Sequence, residues 1–310
     1  MIFNEANART PECHASTIAE VGDTLVCAWF GGLYEKHPSV GIWLSHNTGS
    51  GWSRPREVAT GVDANGQRVP CWNPVLFQPQ DGPLVLFYKT GRTIAGWQTH
   101  YMTSGDAGRT WSSPVTLENP VMGPVRNKPV QLEDGTILYG GSDEPDWQSW
   151  QLFFSRSTST LTRWELTGPV TTPDECQAIQ PAFLRSGGDV VALFRTRQGL
   201  IGRVESSDGG GAWSAPSLTS LPNPNSGIDA VTLRSGLHIL VYNDSVDARS
   251  PLVVAVSGDT HRWRTHRVLE SGPGEFSYPA VIESADGTVH VTYTWNRRCI
   301  AHVRISDISE

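Results

Sequence analysis

Short apolar runs broken by Asp-Gly, Gly-Gly and Pro-containing turns recur along the whole chain. CHASTIAEVGDTLVCAWFGG, CWNPVLFQPQDGPLVLFYKT, QPAFLRSGGDVVALFRT and YPAVIESADGTVHVTYTW each read as two strands joined by a tight hairpin. A further strand follows each pair: VGIWLSHN, QTHYMTS, GLIGRVESS and CIAHVRIS. No stretch repeats apolar residues at a 3.6-residue period over helical length, so the pattern predicts an all-β chain. Six similar units follow one another at a spacing of about 50 residues, the scale of propellers and arrays. Units one to five predict four strands each and unit six predicts three. The segment MIFNE is expected to supply the missing strand beside the last unit, closing the ring and removing exposed sheet edges. The expectation is one domain over 1–310: a six-bladed β-propeller of four-stranded blades, closed by the N-terminal strand.

A second periodicity marks the ends of the third strands. Ser104 to Trp111 reads Ser-x-Asp-x-Gly-x-x-Trp, and Ser206 to Trp213 matches every fixed position. Ser45 to Trp52 carries Asn47 in the Asp place, while Ser157 to Trp164 and Ser257 to Trp263 are degenerate copies. Ser and Asp side chains bond the backbone of a tight turn, Gly supplies positive φ, and Trp buries a large apolar surface beneath. This is the Asp-box, and it predicts a structural staple on the face away from the long loops.

Composition narrows the partners. The net charge is −7, with 24 Lys and Arg against 31 Asp and Glu, which disfavours nucleic acid and anionic membrane as general partners. Five cysteines without a CxxC spacing predict neither a zinc ribbon nor a redox pair, and no His pair falls at ligand spacing, so no metal or cofactor is expected. The first residues, MIFNEANART, carry no leader pattern, and no apolar run approaches 18 residues; a cytoplasmic protein is the expectation.

The propeller expectation sorts candidate chemistry onto one face. That face holds the starts of the inner strands, with His14, Trp72, Asn73, Arg126, Lys128, Gln180, Asn225, Asp229 and Tyr278. It also holds the irregular loops after the second strands, such as FGGLYEKHPSV, YKTGRTIAGWQ, GGSDEPDWQSW and YNDSVDARSP. Arg195, Arg249, Trp295 and Arg297 end or follow second strands on the same face. Arginines gathered there suit a carboxylate, because the guanidinium fork pairs with it bidentately. Lys128 can support the same anion. Glu275 precedes Tyr278 by three residues and can orient or deprotonate it. Glu35 and Asp63 are alternative proton donors, and His14 is a candidate base. Trp72, Trp97, Trp147 and Trp295 are placed to stack on sugar rings or to pack.

The strings CHASTIAE, CWNPVLF, RNKP, PNPNSG and SYPA, together with the Asp-boxes, resemble the sialidase (neuraminidase) superfamily, in its Asp-box predicted-neuraminidase group. The likeness spans the chain. It implies a six-bladed propeller and an exo-acting glycosidase whose substrate carries a carboxylate clamped by three arginines. It further implies a tyrosine nucleophile activated by a glutamate, and an aspartate acid/base. Arg195 and Arg249 match the second and third clamp arginines, and Tyr278 matches the nucleophile. Where the family has Arg-x-Pro in the first blade, this chain reads Cys13-His14-Ala15, and Arg126 can enter from another side. Three functions therefore stand. One is a glycoside hydrolase for a terminal acidic sugar. The second is a uronate-directed lyase using a central His/Tyr pair, and the third is a carbohydrate-binding propeller without catalysis.

Overall fold

The structure, a computed structural model, describes residues 1–119, 121–146, 148–158 and 161–308. Among these residues the chain folds into six antiparallel sheets in sequence order around a central channel. Each sheet is a blade whose first strand is innermost. The inner strands are Glu12–Val21, Cys71–Phe77, Val130–Gln131, Ala178–Ser186, Asp229–Thr232 and Phe276–Glu283. The second strands are Thr24–Gly32, Leu84–Thr90, Ile137–Asp143, Asp189–Thr196, His238–Asn243 and Val289–Trp295. Blades two to five have four strands; blade one carries a fifth, the two residues Arg68–Val69. The six-bladed architecture expected from the repeat is thus observed.

Apolar side chains of neighbouring blades meet in clusters, so the core is a ring of interfaces. The repeated tryptophans sit in five of them. Trp111 packs into the cluster of blades one and two, Trp164 into that of two and three, and Trp213 into that of three and four. Trp263 packs between blades four and five, and Trp52 between blades six and one. Each staple therefore ties its blade to the preceding one. The turn above works as its residues predict: Ser104 Oγ accepts from Gly108 N–H at 2.8 Å and donates to Asp106 Oδ1 at 2.8 Å. Asp106 Oδ1 also accepts the Thr110 N–H at 2.8 Å. Gly108 has φ +79, and a Cβ there would come within 3.1 Å of the Trp111 ring.

The last blade has three strands, and the N-terminal segment lies beside its outer one, as expected. It does so without becoming a strand: Ile2 N–H donates to the Ile300 carbonyl at 2.8 Å, and Asn4 then caps a 3-10 turn over Glu5–Asn7. Burial of Ile2 and Phe3 against Cys299 and Ile300 supplies the closure that a ladder would otherwise give. A chain of rings completes it. Trp52 Nε1 donates to His302 Nδ1 at 3.2 Å, His302 Nε2 lies 2.9 Å from His290 Nδ1, and His290 Nε2 lies 3.1 Å from Ser284 Oγ. All five cysteines are buried and free. No helix among the described residues is long and apolar enough to cross a membrane.

Candidate functional site

Four of the six inner strands share one irregularity, and it builds the site. In blades one, two, four and six the ladder slips between His14 and Thr17, Trp72 and Val75, Ile179 and Ala182, and Ser277 and Ala280. The residue at each slip has positive φ: Ala15 at 55°, Asn73 at 39°, Gln180 at 57° and Tyr278 at 52°. Proline follows three of them (Pro74, Pro181, Pro279), and a residue without an N–H cannot continue the ladder. The matching positions in blades three and five are Lys128, before Pro129, and Asp229. Four blades thus place a bulge at the channel mouth, and blades three and five place Lys128 and Asp229 at the matching positions without one. Left-handed backbone at non-glycine residues costs about 1–3 kcal/mol each and persists where surrounding structure enforces it.

Tyr278 is the centre of what assembles there. Its ring lies 4.2 Å from that of His14, and the guanidinium carbons of Arg126, Arg249 and Arg195 lie 5.2, 5.5 and 5.8 Å from its centroid. Arg195 donates to Tyr278 Oη at 2.8 Å, to Gln180 Oε1 at 3.2 Å and through Nε to Asn225 Oδ1 at 2.7 Å. Burial alone would raise the phenol's pKa, but the Arg195 and Arg249 guanidiniums outweigh it and hold Tyr278 below its ordinary value of 10.0. His14 Nδ1 lies 3.0 Å from Thr294 Oγ1. Burial and the surrounding guanidiniums, Arg297 foremost, push its pKa well below 6.5, so it is a neutral imidazole at pH 7. Arg126 is buried to 1% exposure, donates to the Pro279 carbonyl at 2.6 Å and leaves its Nε without a partner.

The carboxylates are disposed differently from the expectation. Glu275 does not meet the Tyr278 hydroxyl. It takes Arg249 at 2.6 Å, Arg297 Nε at 3.1 Å and the Ser277 hydroxyl at 3.0 Å, because two guanidiniums attract it more strongly than a neutral phenol. Arg297 also pairs with Glu35, so one arginine bridges blade one to blade six. Asp63 stays outside the cluster. It caps its own turn through the Asn65 and Gln67 N–H groups and pairs with Arg92 at 2.9 Å; that Arg92 bond, with the turn, lowers its pKa, the wrong direction for a proton donor. Lys128 is spent on Asp229 at 2.8 Å and on the Ala230 carbonyl at 2.7 Å, so it braces the channel and offers no charge to a ligand. Trp295 is partly buried against Phe276, its ring 6.3 Å away, and packs rather than stacks. Trp147 lies outside the described residues. Around Tyr278, four guanidiniums (126, 195, 249, 297) face two carboxylates (35, 275), which leaves an excess of positive charge within an acidic protein.

Beside this packed cluster opens a cavity of about 400 Å³, formed by the second-to-third-strand loops of blades one to three. Trp72, Arg92, Glu144 and Trp150 line it. Trp72 Nε1 donates to the Gly91 carbonyl at 2.9 Å, and its ring lies 5.4 Å from that of Trp97. Sequence reasoning named the GGSDEPDWQSW loop but not Glu144; a carboxylate among several in a polar loop carries no local mark of its surroundings. No group of three or more possible metal ligands occurs among the described residues.

The sequence model of the BNR repeat-like domain matches residues 23–291. The chain belongs to that family. Solved structures share the fold of this BNR repeat-like protein at low identity. The Hadza microbial sialidase Hz136 superposes with a TM-score of 0.83 at 16% identity over 98% of this chain and 68% of its own. NanB sialidase from Streptococcus pneumoniae gives 0.80 at 12%, over 98% and 69%. A protein of unknown function from Dyadobacter fermentans gives 0.77 at 15%, over 92% and 91%. No curated protein sequence matches the chain.

Proposed function

We propose that this BNR repeat-like propeller is a glycoside hydrolase that releases a terminal, carboxylate-bearing sugar from a glycan. The observation that carries this reading is the convergence of Arg126, Arg195 and Arg249 within 6 Å of one tyrosine ring whose phenol they favour as phenolate. Arg249 and Arg297 have the more exposed guanidiniums (side chains 28% and 26% exposed) and meet the substrate carboxylate, exchanging part of their bond to Glu275 for it. Tyr278 attacks the anomeric carbon, or orients a water that does so. The expectation is that Arg249→Ala lowers kcat/KM on an anionic aryl glycoside about 100-fold, the scale of one lost charged donor, while the far-ultraviolet spectrum stays unchanged. Tyr278→Phe lowers it as much or more. Full activity in both variants would refute the reading.

One observation favours a second reading. His14 is neutral and lies against Tyr278, while among the described residues no carboxylate bonds the Tyr278 hydroxyl. A base and an acid side by side, under arginines that neutralise a carboxylate, suit β-elimination at a uronate. An unsaturated product absorbing in the ultraviolet, formed by wild type and lost in His14→Ala, would mark the protein as a lyase.

A further inference from the structure

The cavity beside the arginine cluster has a chemistry of its own. Its wall pairs apolar surface from Ile94, Ala95, Pro145 and the edges of two nearly buried indoles (Trp72, Trp150) with the polar groups Lys36, Arg92, Glu144 and Asp146. The Trp150 ring is held by Arg197, whose guanidinium lies 5.4 Å away. About 400 Å³ is room for a single sugar ring or a little more, and a mostly apolar wall with a few polar groups suits a neutral pyranose. The cavity borders the cluster through Trp72, whose ring lies 6.3 Å from that of Phe30, itself 5.6 Å from that of His14, and the charge of Arg195, the donor to Tyr278 Oη, is felt at Glu144.

We propose that the cavity is the leaving-group subsite, binding the neutral sugar from which the acidic one is cut, and that Glu144 is the proton donor to the glycosidic oxygen. This rests on the hydrolase reading above and supplies the acid that neither Asp63 nor Glu275 provides. In the first step Tyr278 Oη, as phenolate, bonds to the anomeric carbon while the bond to the leaving oxygen breaks and that oxygen takes the proton of Glu144. In the second step a water gives its proton to the Glu144 carboxylate and its oxygen to the anomeric carbon, and the bond to Tyr278 Oη breaks, so that the acidic sugar leaves and both residues return to their starting states. Several features hold Glu144 ready. Ser142 Oγ bonds its Oε1 at 2.8 Å and fixes the rotamer. Burial raises its pKa above the ordinary 4.5, partly offset by the Ser142 bond, Arg195 and Lys89. The direction is that of a general acid, opposite to Glu275 and Asp63.

The test compares two substrates sharing the same acidic sugar, one with an activated phenol as leaving group and one with a neutral sugar. A sugar alkoxide leaves only if protonated; an activated phenolate needs far less help. Glu144→Gln is expected to slow release of the sugar about 100-fold more than release of the phenol, and to remove the alkaline limb of the wild-type pH profile. Equal slowing of both, with the limb retained, would assign Glu144 a structural role and overturn the proposal. A second measurement is independent of turnover: the infrared difference between wild type and Glu144→Gln should retain a protonated-carboxyl band above pH 4.5. Its disappearance below that pH would also overturn the proposal. If wild type cleaves neither substrate, the hydrolase reading itself fails, a separate outcome.

Discussion

Tyr278 combines a left-handed backbone, three guanidiniums about its ring and a hydroxyl held by Arg195. The arginines stabilise its anion, so the phenol should titrate below 10.0, visible as an early phase in the ultraviolet titration of tyrosines. Tyr278→Phe should remove that phase, and Arg249→Ala should move it upward. The Lys128–Asp229 pair predicts differently. Asp229 is 2% exposed and also accepts the Val281 N–H at 2.8 Å. Lys128→Met leaves that carboxylate buried without its ammonium, so a loss of about 3 kcal/mol in chemical denaturation is expected. At this scale the sequence was partly legible. The repeat places Arg195, Arg249 and Tyr278 on one face, and the structure brings their side chains together there. Partnerships such as Arg126 with Pro279, or Arg297 with Glu35, span 153 and 262 residues and follow no spacing rule.

The blade is where pattern and physics agree best. Alternating apolar runs gave the strands, and the spaced tryptophans marked the third-to-fourth-strand turns. What the pattern does not state is which neighbour each tryptophan grips. Trp213 lies 4.2 Å from the Phe154 ring and 6.2 Å from that of Phe183, so it joins blade three to blade four. Trp213→Ala should therefore cost about 3 kcal/mol and lower the melting temperature without altering the arginine cluster on the opposite face. The bulges were present in the sequence as the dipeptides Asn-Pro, Gln-Pro and Tyr-Pro at inner-strand starts. Their meaning, a slipped ladder and left-handed backbone at the channel mouth, needed the register to become visible.

On the scale of the whole molecule, six sheets form a ring whose joints are not equal. The tryptophan-stapled interfaces include the one between blades six and one, but there Trp52 acts through His302 and His290. Trp52 Nε1–H donates to His302 Nδ1, so His302 offers its Nε2–H to His290 Nδ1, and His290 offers its own Nε2–H to Ser284 Oγ. The relay works only with both rings neutral. Burial lowers His290, and burial together with His290 lowers His302 to about 4. Above pH 6.5 neither folded nor unfolded chain protonates them. As pH falls from 6.5 towards 4, the unfolded chain takes protons that the folded one refuses, removing up to about 3 kcal/mol for His302. The ring thus has a fuse. In mild acid, hydrogen exchange should quicken first and together in blades one and six, while blades three and four stay protected; a neutral replacement such as His302→Gln should lessen that asymmetry, the rest coming from His290 and from His14, which meets Thr294 across the same joint. A propeller closed by neutral imidazoles fails in acid at a chosen joint, and the arginine cluster, which draws Arg297 from blade six and Glu35 from blade one, would come apart with it.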